Sequence, residues 1–149
     1  MDKKTNETPM KKTIHLKLGK VCIGSKKPVC RSIPLSPNRL NTMHWAIKMA
    51  WKNAWKEEVW GRWLEIRKDH KDIKFPLEKV KITPYVFYSK LQQDMDNQIA
   101  SLKPVIDGLT ECGVIVDDNP HCVNLEMPTY VHCKKDQEHI ELVIEVLNK

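Results

Sequence analysis

The chain lacks the marks of several protein classes. No stretch approaches the ~18 consecutive apolar residues that suggest a membrane span, and the lysine-rich N-terminus carries no apolar run ahead of a small-residue cleavage site. No membrane partner is therefore expected, and a soluble, cytoplasmic protein is. The five cysteines, at 22, 30, 112, 122 and 133, include no CxxC pair, and an odd number does not suit a complete disulfide framework, so reduced thiols are expected. There is no internal repeat and no low-complexity segment. The six histidines show no metal-ligand spacing, although His121 stands three residues past Asp118 and could approach it.

What is present describes one folded unit. At 149 residues, with 41% hydrophobic and 30% charged residues, the chain can bury a single core but would make two poorly stabilised halves. Lysine and arginine outnumber aspartate and glutamate by 25 to 19, and the net +6 favours a polyanionic partner such as nucleic acid. Eight of the lysines fall in the first 28 residues. We read residues 1–12 as a flexible basic tail and 13–149 as the folded domain.

Apolar periodicity predicts an α+β domain in which a mixed β-sheet packs with two main helices. Thr13 to Leu18 and Val29 to Leu35 alternate as strands do, and Ser36-Pro37-Asn38 then stops the ladder in a loop carrying Arg39. Asn41 or Thr42 can cap a long helix running to about His70, with Trp51, Trp55, Val59 and Trp63 on one face. Such a stripe marks a core or dimer face before it marks base stacking. Val80 to Tyr88 reads as a strand, in which Pro84 hints at an edge or a bulge. Asp94 opens a helical segment ending near Cys112, with Gly113 as its stop; Pro104 either interrupts it or opens a second helix. Strands are expected from Cys122 to Val131 and from His139 to Leu147, the latter with Ile140, Leu142, Ile144 and Val146 on its buried face.

The chemistry concentrates after the Val80–Tyr88 strand. Asp94 and Asp96 stand two apart, so extended backbone points both carboxylates to one side. A helical continuation brings Asp96, Lys103 and Asp107 near one face, at ~100° per residue. Asp117 and Asp118 follow a short apolar run. Clustered aspartates are what hydrolysis of a phosphodiester needs, because a hard cation prefers carboxylate oxygens and can polarise the phosphate and activate water. Taken singly, each has a plainer role: Asp94 or Asp96 as a helix cap, Asp117-Asp118 as a turn.

The 26-residue string DMDNQIASLKPVIDGLTECGVIVDDN, from Asp94 to Asn119, resembles the RusA-type Holliday junction resolvase family. The family's pattern is DxDN, a lysine, D-x-L, then glycine, an apolar residue and DD. Ser36-Pro37-Asn38-Arg39 is similar to an early Pro- and Asn-containing loop of that family.

The resemblance implies a homodimeric, Mg²⁺-dependent endonuclease, with Mn²⁺ as the substitute ion. It would nick four-way DNA junctions in pairs by in-line attack of a metal-activated water. Asp94, Asp96 and Asp118 are implied as metal-binding catalytic carboxylates, with Asp117 as substitute for Asp118, and Lys103 as the catalytic lysine. It also suggests a recombination or repair nuclease of phage or prophage type. Arg39, Lys20, Lys26 and Lys27 are candidates for DNA phosphate contacts. One departure stands out. The family lysine follows the second aspartate by four residues, and Lys103 follows Asp96 by seven. If the helix is unbroken, the face is nearly kept and the lysine moves ~4.5 Å along the axis; a loop at Gln98 to Leu102 would absorb the insertion instead. A catalytically silent binder of branched DNA and a nuclease for flaps or forks are the alternatives.

Overall fold

The computed structural model describes residues 12–90 and 98–147, and Asp94, Asp96 and residues 1–11 lie outside them. Seven strands and four helices follow in order: β1 (Thr13–Leu18), β2 (Val21–Ile23), β3 (Val29–Arg31), α1 (Pro37–Leu40), α2 (Trp45–Ile66), β4 (Val80–Tyr88), α3 (Gln98–Ser101), α4 (Lys103–Glu111), β5 (Val123–Leu125), β6 (Thr129–His132) and β7 (His139–Val146). The main sheet runs β1-β7-β4, with β5 and β6 one after the other along the far edge of β4. β7 is antiparallel to both neighbours, whereas β5 and β6 are parallel to β4. The result is a single α+β domain with a mixed sheet, as the patterning implied.

The alternation of the strands explains the packing. Ile14, Leu16 and Leu18 on β1, Val80 and Ile82 on β4, and Ile140, Leu142 and Ile144 on β7 are buried together. Each such side chain withdrawn from water contributes about 1.5–3 kcal/mol. α2 lays Trp51, Trp55, Val59 and Trp63 into the same core, so the tryptophan stripe is a packing face. α4 crosses α2 at Gly108, where an added Cβ would stand 3.0 Å from Val59 Cβ and 3.2 Å from Lys56 Cα. Here glycine is required by close approach of the two helices.

Several expectations are corrected. The segment from Ser36 to Arg39 is not a loop: the Ser36 hydroxyl accepts from the Arg39 amide and starts α1, with Pro37 in its first turn. Asn41 and Thr42 do not cap the long helix, because both are used in closing α1. The Asn41 amide donates to Pro37 and Arg39 carbonyls, and the Thr42 hydroxyl donates to Arg39 O at 2.7 Å. α2 is capped instead by His44, whose Nδ1 accepts from the Ala46 amide at 3.1 Å. It ends at Ile66, and Arg67–His70 form a tighter 3₁₀ turn.

The strand expected over Val29 to Leu35 ends at Arg31, and the one expected from Cys122 to Val131 splits into β5 and β6. Lys12, read as part of the tail, is tied to the domain: its carbonyl accepts from the Val146 amide and its ammonium reaches the Asp72 carbonyl.

Pro84 is not on an edge strand; it sits in β4, opposite Leu142 of β7, where the pairing on the other side shifts by one residue between β5 and β6. The even-numbered backbone groups of β4 face β5 and β6, since Val80 donates to Cys122 and Ile82 and Tyr88 accept from Glu126 and Cys133. β5 ends opposite Ile82 and β6 begins opposite Tyr85. The missing N–H of Pro84 therefore faces the gap between two partners and forfeits no ladder bond. Two cysteines are also not thiols. Cys22 and Cys30 are register partners in the β2–β3 hairpin, with Cα atoms 4.0 Å apart, and form a disulfide. Cys112, Cys122 and Cys133 are free.

Candidate active site

The helical stretch after the acidic motif is broken once, at Leu102, which separates one-turn α3 from α4. Pro104 lies in the first turn of α4, where a missing N–H is harmless, and it marks the second helix rather than a kink. At the other end the Gly113 amide donates to Thr110 O at 3.2 Å and the Val114 amide to Leu109 O at 2.9 Å, with Gly113 at φ 84°. This pair of bonds closes the helix in the Schellman manner. The chain is then pinned to Leu77 by two hydrogen bonds, from Leu77 N to Val114 O and from Val116 N to Leu77 O. That pinning delivers Asp117 and Asp118 back to the head of α4.

Three of the sequence-derived residues meet there. Lys103, the first residue of α4, donates from Nζ to Asp107 Oδ1 at 2.7 Å, one turn on, and to Asp118 Oδ2 across the turn. The hydrogen bonds to Asp107, then to Asp118, hold the Lys103 ammonium above the ordinary lysine range. Reciprocally, the bond from Lys103, then that from Asp117, holds the Asp118 carboxyl below the usual aspartate value. Asp118 is thus kept ionised, as a hard oxygen donor must be.

Asp117 is oriented differently. Its Oδ1 accepts from the Asp118 amide at 2.7 Å and its Oδ2 from Asn119 Nδ2 at 3.0 Å, so both oxygens hold the turn. Asn119 Oδ1 extends the turn by accepting from the His121 and Cys122 amides. His121 is exposed on this turn, its backbone amide held by Asn119 Oδ1 at 2.9 Å.

The Leu102 break separates α3 from α4, so no unbroken helix leads from residue 98 to Asp107. Among the described residues no group of three or more His, Cys, Asp or Glu is arranged to hold a metal ion. Two carboxylates nevertheless converge on one cationic centre, the Lys103 ammonium. Their oxygen chemistry suits a hard divalent ion, with Asp94 and Asp96 following four and six residues after Lys90 in the chain.

A second feature was not foreshadowed by the acidic motif. An open cleft of about 1480 Å³ lies at the C-terminal end of β4, and Lys103, Asp107 and Asp118 are not in its lining. Its cations are Lys17, Lys20, Arg31, Arg62, Lys90 and Lys135. Arg31 is half-buried, and burial, then the nearby Arg39, lower its pKa, with Glu138 opposing them. Of the cleft's two carboxylates, Glu138 already accepts from the Ser89 amide at 2.8 Å and hydroxyl at 2.6 Å. Arg62 is matched by Glu58 on its own helix.

Phe87 and His139 stand opposite each other on β4 and β7 and stack, with centroids 4.2 Å apart and planes 7° from parallel, in the cleft wall. Of the proposed phosphate contacts, Lys20 lines this cleft and Arg39 adjoins Arg31, whereas Lys26 and Lys27 lie in the exposed β2–β3 turn. The cleft draws on five separated parts of the chain, and no local spacing could have announced it.

No helix among the described residues is long and apolar enough to cross a membrane. Compared with known proteins, the chain matches no family model and no curated sequence.

Proposed function

We propose that this chain is a divalent-metal-dependent endonuclease that nicks branched DNA, the four-way junction first. The observation that carries the reading is the convergence of Asp118 and Asp107 on Lys103 at the head of α4, directly downstream of Asp94 and Asp96. The sequence resemblance supplies the substrate. Asp94, Asp96 and Asp118 would hold Mg²⁺ or Mn²⁺, which supplies Lewis acidity toward the phosphate and a water more easily deprotonated than bulk water. Asp117 supports Asp118 by fixing the turn. Lys103, a cation held protonated by its two partners, is suited to neutralise charge developing on the phosphate oxygens. Asp107 orients that lysine along the helix face.

We further read the active form as a homodimer. Trp45, Met49, Trp60 and Leu64 are all exposed on α2 and fall within about 100° of one another around the helix, at ~100° per residue. The two apolar pairs, separated on that face by Asn53 and Lys56, are suited to a second copy, and two-fold symmetry suits paired incisions. One observation favours a silent junction binder instead: Lys103 itself already neutralises the described carboxylates.

Cleavage of a labelled synthetic four-way junction decides between them, beside duplex and flap controls, with Mg²⁺ or EDTA, for wild type and Asp96→Asn. Paired symmetric nicks requiring both Mg²⁺ and Asp96 are expected. Metal-dependent cutting mainly of flaps or forks would reassign the substrate, and tight binding with no product would make the protein a silent binder.

A further inference from the structure

We infer that the cleft at the C-terminal end of β4 is a binding site for single-stranded DNA, with phosphates on its lysines and arginines and an unpaired base against the Phe87–His139 wall. The lining has two chemistries, and each selects part of the ligand. Lys20, Arg31, Lys90 and Lys135 supply a cationic rim, the footprint of a phosphodiester backbone. Phe87 and Val131, both half-buried, supply apolar and aromatic surface between those cations. A duplex offers its phosphates and groove edges but keeps its base faces stacked, so this apolar surface would go unused. A single strand presents phosphates and base faces together, and a cationic groove with aromatic walls is the general solution for it.

Six cations in the cleft face two acids, Glu138 and the exposed Asp136. Glu138 is committed to Ser89, and Arg31 stands beside Arg39 in a half-buried position that an incoming anion would compensate. Continuity with the proposed catalytic carboxylates is direct in the chain, since Lys90 on the cleft precedes Asp94 by four residues. The site itself rests on the cleft's lining, and only the choice of DNA as the polymer rests on the nuclease reading.

The test is fluorescence anisotropy of labelled oligo(dT) in EDTA, so that binding is read without cleavage. Wild type should bind oligo(dT) at least about tenfold more tightly than a duplex of equal length, and an abasic strand about tenfold more weakly than oligo(dT), as removal of a stacked base implies. Lys20→Gln with Lys135→Gln should weaken oligo(dT) binding about tenfold. It should also make the slope of log K against log salt shallower by about 1.4, at ~0.7 for each single-strand phosphate that is no longer neutralised. Both positions are exposed, and circular dichroism of the double variant checks its fold. Equal binding of abasic and normal strands, no preference over duplex, or an unchanged salt slope would each overturn the proposal. Mg²⁺-dependent junction nicking is scored separately in the same preparations. Its absence with the strand binding intact would strike the nuclease reading alone, and its presence without strand binding would strike this one alone.

Discussion

The acidic corner at the head of α4 and the basic cleft at the end of β4 are built from different kinds of sequence information. The corner joins Lys103, Asp107 and Asp118, which lie within fifteen positions of one another. A helix turn and one pinned loop suffice to assemble it. The cleft joins Lys17 and Lys20 to Arg31, Lys90 and the stretch from Val131 to His139. It exists only once β1, β4 and β7 are paired. In the corner a cation is saturated by carboxylates; in the cleft, cations outnumber the carboxylates available to them. One arrangement is suited to chemistry on a phosphate and the other to holding the polymer.

The sharpest way to break this division is Asp118→Asn. Junction nicking should fall by about 10²–10³-fold, the usual scale for removing a preorganised charged group at a phosphate-handling site. Binding of oligo(dT) in EDTA should be unchanged, because Asp118 is not part of the cleft. Burst-free nicking at the wild-type rate would remove Asp118 from the chemistry, and a parallel loss of both properties would show that the two regions are not separable.

The same contrast explains what could be read from the chain. β1, β4 and β7 follow from alternation, because one buried face imposes a period of two. The tryptophan stripe of α2 and the Gly113 stop of α4 follow from helical period and the φ a glycine allows. The Lys103–Asp107 pair follows from i,i+4 spacing. What failed depended on partners far away in sequence. Pro84 looked like an edge residue because nothing local shows that β5 and β6 leave a gap beside it. Asn41 and Thr42 looked like caps because Ser36 and His44 took the capping roles through backbone turns that composition does not specify. Cys22 and Cys30 looked unpaired because an odd count hides the register of a hairpin.

A smaller effect separates packing from chemistry within the helices that carry both. Gly108→Ala places a Cβ against Val59 and Lys56, and overpacking there should cost about 1–3 kcal/mol, more than the roughly 1 kcal/mol of helix propensity gained. Gly61→Ala in α2 meets nothing within 4 Å, so it should gain about 0.5–1 kcal/mol. Urea denaturation of the two variants checks the opposite signs. If both stabilise, α4 does not sit against α2 as closely as described. If Gly108→Ala also lowers nicking beyond its effect on the folded fraction, the tilt of α4 sets the position of Lys103.

The least disruptive probe is the titration of Asp118 itself. Its carboxyl lies below the ordinary aspartate value of 3.8, chiefly through the hydrogen bond from Lys103 and then that from Asp117. A folded-state pKa lowered in this way gives stability that is fully present above the ordinary value and is lost as pH falls through the lowered one. Lys103, raised above 10.5 by Asp107 and Asp118, behaves in the mirror sense: its contribution is complete below 10.5 and is lost as pH rises through the raised value. The pair should therefore be indifferent to pH through the neutral range. Carbon-13 NMR of the Asp118 carboxyl should show a midpoint below 3.8 in wild type and a higher one in Lys103→Met. The variant's midpoint should stop short of full relief, because Asp117 still shapes the turn. A midpoint that Lys103→Met leaves in place would mean that the turn, not the lysine, holds the charge. In that case the corner would be a structural turn with a lysine nearby, and the distinction from the cleft would lie in sign of charge alone.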